Sequence, residues 1–555
     1  MTPTRPTGEP QGLPASAQRA SPDAFDVLVV GGGINGAGIA RDLAGRDQRV
    51  LLCEADDLAQ HTSSSSTKMI HGGIRYLEYC EFSLVRKALA EREVLLKSAP
   101  HIIRPLRLVM PHDPLVNPLR PVWMIRLGLF LYDHLAKREV LPGSTTIDLR
   151  SGPIGAPLKP KYSKGFVYSD GWVDDARLVV LNAVDAVAHG AEVLTRWRCV
   201  DALRTASGWR ATLQSADGHE RAVTARALVN AAGPWAAQFL REHAHVSDSK
   251  ALRLVKGSHI VVKKLFDHDH AYVLQSPDRR IIFVIPYEGE FTLIGTTDVE
   301  HHGPVGSAHI DATETAYLCE QASRYLKQAI TPADVVWSYA GVRPLLEDEA
   351  ADAAAVTRDY QLELDWPVAG PPERSPGSIR VAPLLTVWGG KMTTFRKLAE
   401  EAADLLAAPL ETTRSAWTRG AFLPGGDLSS WIGKAQRPDA DITRFARALA
   451  QRHPELSAAL SNRLARAYGS RVELLLQSGL GTEIAPGLFE AELNYLHTHE
   501  WARSADDVLW RRSKLGLHLT PAQRENVADW CAAHWPDAIA PAASTSSRTP
   551  ETAWN

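Results

Sequence analysis

Three glycines in the pattern G-x-G-x-x-G, Gly31, Gly33 and Gly36, are followed 18 residues after the last of them by an acid, Glu54. These residue types at this spacing suit one task. Glycine permits a tight turn and the close approach of a pyrophosphate, a helix N-terminus opposes its negative charge, and the carboxylate accepts the hydroxyls of an adenosine ribose. An acid there favours a ribose with a free 2′-hydroxyl, hence FAD or NAD over NADP. The elements that must position these residues lie on either side of them. FDVLVV, Phe25 to Val30, is short, apolar and valine-rich, as expected of a strand buried on both faces of a parallel sheet. Ala37, Ile39, Ala40 and Leu43 then share one helical face, and Arg49 to Cys53 reads as a second strand ending at Glu54. A glycine-rich turn that binds nothing would leave that acid without a reason.

Two later segments repeat the theme of a strand running into glycine. Ala227 to Asn230 ends at Ala231, Ala232 and Gly233, and Leu384 to Trp388 runs into Gly389, Gly390 and Lys391, with a helix after it. A Gly-Gly turn opening a helix presents free N–H groups whose dipole favours negative charge, as the pyrimidine edge of a reduced flavin would supply. The three segments together predict a nucleotide domain assembled from distant parts of the chain. Between them lies TSSSSTKMIHGGIRYLEY, Thr62 to Tyr79, whose serine run by itself reads as a flexible linker.

The 555-residue length predicts two or three domains. A net charge of −3 gives no global attraction to nucleic acid, so any anion site must arise from local clustering. The five cysteines contain no CxxC pair, which disfavours a zinc site and a disulfide scaffold and points to a reducing compartment; no metal is expected. Residues 1–21 and 541–555 read as disordered tails, the first lacking the apolar core of a signal peptide. VWMIRLGLFLY, Val122 to Tyr132, is the longest strongly apolar piece, is interrupted by Arg126, and is shorter than the ~20 residues a bilayer requires.

The expected fold is α/β: a Rossmann-like domain for FAD or NAD over 22–405 built from discontinuous segments (the FAD-binding domain, under the resemblance given below), an antiparallel β substrate domain inserted at about 80–165 and 250–335, and a helical C-terminal domain over 406–540. The C-terminal stretch WARSADDVLWRRSKLG reads as a packed helix with a basic outer face.

VVGGGINGAGIARDLAGR, SSSSTKMIHGGIRYLE, NAAGPWA, KGSHIVV, LIGTTDVE, AGVRPL, Thr357 to Tyr360 and GGKMTTFRKLAE, in this order over roughly residues 22 to 530, resemble the FAD-dependent, respiratory glycerol-3-phosphate dehydrogenases. The resemblance implies oxidation of sn-glycerol 3-phosphate to dihydroxyacetone phosphate, with ubiquinone or menaquinone accepting the electrons. It also implies a homodimer bound peripherally to the cytoplasmic face of the cell membrane. Arg120 to Arg138 has the aromatic, aliphatic and basic mix of an interfacial helix, although such segments are more often ordinary core elements. The neighbouring readings are an oxidase that passes electrons to O2 with release of H2O2, and an amine or amino-acid oxidase on the same scaffold.

Under this resemblance the substrate phosphate falls to Arg75, Arg343, Arg358 and Lys391, since a guanidinium fork matches phosphate and lysine adds a point charge. His259 is the leading general base, with Arg343 stabilising the developing alkoxide and His71 as rival base or flavin neighbour. Tyr76 reads equally as a substrate hydrogen-bond donor or as packing, Thr296 and Thr297 as cavity lining, and Asp298 as either lining or a turn residue. The serine run becomes a loop along FAD, with Ser64, Ser65, Thr67 and Lys68 beside the cofactor and His71 and Gly72 passing the flavin ring. Ala232, Gly233, Gly389, Gly390, Met392 and Thr393 complete the cofactor set.

Overall fold

A computed structural model describes residues 22–113, 121–205, 208–247, 249–346, 359–366 and 381–538. Both expected tails and Arg358 lie outside the described residues, as does Arg120 at the head of the apolar segment.

The chain opens with strand β1 (Ala24–Val30), helix α1 (Ile34–Gly45) and strand β2 (Val50–Glu54), then passes through the short β3 (Met69–Ile70), α2 (Phe82–Ser98), β4 (Ile103–Pro111) and α3 (Val122–His134). Strands β5 (Thr145–Asp148) and β6 (Lys164–Val173) precede α4 (Asp175–Ala188) and β7 (Glu192–Thr195). A meander of β8 (Trp197–Thr205), β9 (Gly208–Ser215) and β10 (Glu220–Asn230) leads to α5 (Ala236–Glu242). Five strands follow: β11 (Leu252–Lys263), β12 (Ala271–Gln275), β13 (Ile281–Tyr287), β14 (Phe291–Gly295) and β15 (Val299–Glu300). After α6 (Ala312–Tyr325) come β16 (Val335–Leu346), β17 (Gln361–Asp365), β18 (Leu384–Trp388) and α7 (Phe395–Leu410).

The nucleotide sheet has the order β17-β18-β10-β1-β2-β7, parallel from β18 to β7. Strands β1, β10 and β18 sit side by side although nearly two hundred residues separate β1 from β10. Alternation explains the continuous apolar runs: Val27, Val29, Val50 and Leu52 face α1, α4 and α7, while Leu28, Val30, Leu51 and Cys53 face α5 and the β8–β9 hairpin. Because the central residues of such a strand are buried on one face or the other, Val27 to Val30 and Val50 to Cys53 are all apolar or cysteine. The C-terminal end is where Gly31, Glu54 and Ala231 emerge.

The second sheet has the order β15-β11-β14-β13-β12-β4-β6-β3, with β16 on the far side of β11 and β5 against β6. It corrects the expected layout in two respects. The sheet draws on strands from Met69 to Val173 and from Leu252 to Leu346, wider than the inserts read from sequence. It is also not wholly antiparallel: β12 runs parallel to β4, Ala271 opposite Leu108, because the chain reaches β12 by a long crossover.

The third region has its own core of Leu428, Phe445, Leu449, Leu464, Leu493 and Val527, on helices such as Pro438–Arg452 and Pro521–His534. The boundary read after residue 405 falls inside α7, whose Leu406 and Leu410 pack in the nucleotide-domain core. The composition turns Ala- and Leu-rich there because α7 itself is amphipathic. WARSADDVLWRR corrects the sequence reading as well. Arg512 is fully buried, Arg511 pairs with Asp57 at 2.6 Å, and Trp510 stacks on Trp337 of β16 at 5.0 Å, so the cluster faces inward.

Candidate active site

A cavity of about 770 Å³ runs from the C-terminal ends of β1, β2 and β10 to the face of the second sheet. At its nucleotide end Gly31 has φ of +106°, and an added Cβ would lie 2.6 Å from the carbonyl oxygen of Ala231, so neither conformation nor space admits a side chain. Gly33 and Asn35 open α1 beside it, and Ser63 Oγ accepts the Ile34 N–H at 3.0 Å. Glu54 points both carboxylate oxygens at backbone donors, Oε2 at Gly32 N (2.6 Å) and Oε1 at Asp56 N (2.9 Å), while burial raises its pKa against those bonds. Each oxygen retains a lone pair for a hydroxyl. Asn35 donates to the Gly389 carbonyl (3.0 Å) and leaves its buried Oδ1 without a hydrogen-bond partner among the described residues. The glycine cradle, the acid and this orphaned acceptor fit FAD.

Gly36 does not line the cavity. A Cβ there would sit 1.9 Å from the Gly31 carbonyl oxygen, so its task is to let α1 start directly against the end of β1. Gly36→Ala is therefore expected to force α1 and the Gly31 turn apart, at about 3 kcal/mol. The variant should purify depleted of flavin, which the ratio of flavin to protein absorbance measures.

At the other end of the cavity, His259 stands in the middle of β11 between Gly295 of β14 and Tyr339 of β16. Glycine at 295 is a steric requirement, since a Cβ would lie 2.0 Å from His259 Cδ2. Tyr339 stacks on the imidazole at 4.8 Å and 16°, and Thr67 Oγ1 bonds its Nε2 at 2.9 Å. Nδ1 is buried without a hydrogen-bond partner among the described residues. Burial, then the positive charges of Arg343 and Lys68, push the histidine pKa well below its ordinary value, so the ring is neutral.

Arg343 of β16 also lines the cavity. Its Nη1 donates to Asp298 Oδ1 at 2.5 Å and its Nη2 to Thr296 Oγ1 at 3.1 Å, and Gly257 on the neighbouring β11 leaves room for the guanidinium. Lys391 Nζ lies 3.9 Å over the ring of Tyr76, and both residues line the cavity with His71, whose N–H donates to Thr393 Oγ1 at 3.1 Å.

Of the residues singled out from sequence, Ser65, Thr67, Ala232, Gly233, Gly389, Gly390 and Met392 also line this cavity. Ser64, Lys68, Gly72 and Arg75 do not. Ser64 Oγ turns to its own loop, donating to the His61 carbonyl. Lys68 is almost fully buried, with Nζ 2.8 Å from both oxygens of Asp175 at the start of α4 and 2.5 Å from the Ser64 carbonyl. It bolts the serine loop to α4 instead of reaching a cofactor. Gly72 donates its N–H to the Tyr132 hydroxyl at 2.8 Å, and Tyr132 donates to Asp170 at 2.7 Å, which also receives Arg92 at 2.7 Å. That glycine is a close-packing position, since a Cβ would lie 2.5 Å from Leu89 Cδ2.

Of the residues that hold these groups, sequence reasoning named Asp298 only as lining or a turn residue and did not single out Tyr339 or Glu314. Asp298 pairs with Arg343, and Tyr339 pairs with both the histidine ring and the Ser66 carbonyl at 2.8 Å. Glu314 of α6 gathers Ser258 Oγ (2.9 Å), Thr297 Oγ1 (2.7 Å) and Lys256 Nζ (2.8 Å) behind the strand that bears His259. Only the acid directly after the LIGTT strand signalled Asp298, and nothing local signalled Tyr339 or Glu314.

Residues 26–370 match the family model described as FAD dependent oxidoreductase, and residues 416–534 match the model described as the C-terminal domain of alpha-glycerophosphate oxidase. The glycerol-3-phosphate dehydrogenase of Pseudomonas aeruginosa is 50% identical over 519 residues, 93% of this chain and 96% of that one. The D-erythritol 1-phosphate dehydrogenase of Brucella abortus is 46% identical over 517 residues, 92% of this chain and 98% of that one. Among solved structures, the glycerol-3-phosphate dehydrogenase of Bacillus halodurans complexed with FAD superposes with a TM-score of 0.71 at 26% identity, covering 92% of this chain and 91% of that one.

Proposed function

The chain belongs to the family of FAD-dependent glycerol-3-phosphate dehydrogenases, and from that premise we propose that it oxidises sn-glycerol 3-phosphate to dihydroxyacetone phosphate and passes the electrons to a membrane quinone, ubiquinone or menaquinone. Bound FAD supplies the hydride acceptor. The observation that carries the reading is a buried His259 in the same cavity as two cations, Arg343 and Lys391, at the end away from the ribose acid Glu54. A phosphate near dianionic at pH 7 suits a guanidinium already aimed by Asp298 and Thr296, with Lys391 as a second charge. His259 then takes the hydroxyl proton as the C2 hydride departs.

The test is anaerobic reduction of the purified holoprotein. sn-Glycerol 3-phosphate should bleach the flavin, and reoxidation should require a quinone. Bleaching by D-erythritol 1-phosphate alone would move the substrate to the longer polyol phosphates, a reading favoured by the nearly equal identity to the Brucella enzyme. Rapid reoxidation by O2 without quinone dependence would make the protein an oxidase, and reduction by amino acids alone would place it with the amine and amino-acid oxidases.

A quinone acceptor implies contact with a bilayer. No helix among the described residues is long and apolar enough to cross one. Helix α3 supports a peripheral contact with a bilayer, which the family reading puts on the inner face of the cell membrane. It buries Leu129 and Tyr132 but exposes Trp123 (65%), Leu127 (50%) and Phe130 (53%), and Tyr79 on the neighbouring segment is exposed as well. Replacing Leu127 and Phe130 together with glutamate is expected to abolish co-sedimentation with phospholipid vesicles while leaving anaerobic bleaching unchanged. The same family reading makes the protein a homodimer, which sedimentation velocity would measure.

A further inference from the structure

We propose that Asp57, with Arg511 and Arg512, is a latch by which the C-terminal domain positions the adenosine end of FAD, so that retention of the cofactor depends on that domain.

Asp57 lies three residues after Glu54 in the turn leaving β2, and its carboxylate is fully buried. Its Oδ2 accepts from Arg511 Nε and from Arg512 Nη1, both at 2.6 Å, and its Oδ1 accepts from Arg512 Nη2 at 2.7 Å. Burial opposes the charged form, yet Arg512 and Arg511 hold the carboxyl well below the usual carboxylate range. The latch is itself anchored. Arg512 donates to the Glu500 carbonyl at 2.7 Å, the Glu500 carboxylate pairs with Arg177 of α4, and Arg511 pairs with Asp507, which also receives Arg196 at 2.7 Å.

The same turn builds the nucleotide end of the cavity. Asp56 N–H fixes Glu54 Oε1, Gln60 bonds Asp57 in both directions (its Oε1 accepting from Asp57 N at 3.2 Å, its N–H donating to the Asp57 carbonyl at 3.1 Å), and Arg196 N–H donates to the Asp56 carbonyl at 2.9 Å. Glu54, Gln60 and His61 line the cavity while the Asp57 carboxylate faces the C-terminal domain. Two ends of one short turn thus meet the cofactor and a domain over 450 residues distant in sequence. A buried ionic cluster is weak as a source of stability, because desolvation offsets most of the attraction; registry is its better-attested use.

FAD dissociation is to be measured from the fluorescence of released flavin after dilution of holoprotein, alongside the melting temperature of the apoprotein. Arg512→Met and Asp57→Asn are each expected to weaken FAD binding by on the order of tenfold or more, and the double variant by no more than the worse single one, since both cut the same contact. If Asp57→Asn fails to fold, Arg512→Lys, which keeps the charge and loses the fork, gives the same readout at smaller amplitude. Arg463→Met is the control: it breaks a pair with Glu492 (2.6 Å) inside the C-terminal domain and should lower the melting temperature without changing FAD affinity. Unchanged FAD affinity in the latch variants, or an equal loss in Arg463→Met, would overturn the proposal.

Discussion

Arg343→Ala is expected to lower kcat/KM for sn-glycerol 3-phosphate by about 10²- to 10³-fold, most of it in substrate affinity, as for loss of a charge-assisted contact to phosphate. Arg343 is half-buried and both of its terminal nitrogens are already oriented, one by Asp298 at 2.5 Å and one by Thr296 at 3.1 Å. A guanidinium held in this way has lost much of its rotamer freedom before substrate arrives, so little further ordering opposes binding. Arg343→Lys should restore charge but not the fork, and recover only part of the loss. Asp298→Asn should lie between, because the amide oxygen still accepts a hydrogen bond from Arg343 but holds the guanidinium in its binding orientation less firmly than a carboxylate does. Titration of flavin absorbance with substrate under anaerobic conditions separates affinity from the rate of reduction. A normal affinity in Arg343→Ala would remove it from phosphate binding.

How much of this was legible in the sequence follows from the physics of each feature. The β1-α1-β2 unit was visible because its determinants are local: an apolar run, glycines at fixed offsets and an acid at the strand end. The later returns of the chain at Ala231 and Gly389 were legible for the same reason. The role of Lys68 was not. Its ammonium is satisfied by Asp175, 107 residues away, and no local pattern distinguishes a lysine that touches a cofactor from one that staples its loop to a helix. Asp298 and Arg343 lie 45 residues apart and meet only because β15 and β16 both pair with β11. The buried fate of Arg511 and Arg512 was equally hidden. Two adjacent arginines read as a solvated face unless the acid that receives them, Asp57, is known to be near.

His259→Asn is expected to slow flavin reduction by about 10²- to 10⁴-fold with little change in substrate affinity, the usual range for loss of a positioned general base. Asparagine keeps a polar group beneath Thr67 but has no basic nitrogen. The pH dependence gives an independent check. Burial, Arg343 and Lys68 all disfavour the imidazolium, so in the free enzyme the acid limb of kcat/KM should lie below histidine's ordinary pKa near 6.5. Arg343→Ala removes one of those charges and should move that limb upward, toward 6.5. Stability should carry the same signature. The folded state holds His259 neutral while the unfolded chain takes up a proton near pH 6.5, so this residue's contribution is fully present above that pH and is lost as pH falls through the window between the unfolded and folded pKa values. The melting temperature of His259→Asn should therefore decline less steeply with acidification than that of the parent. A near-normal reduction rate in His259→Asn, with the acid limb unmoved, would assign the proton to another group in the cavity, with His71 the first to examine.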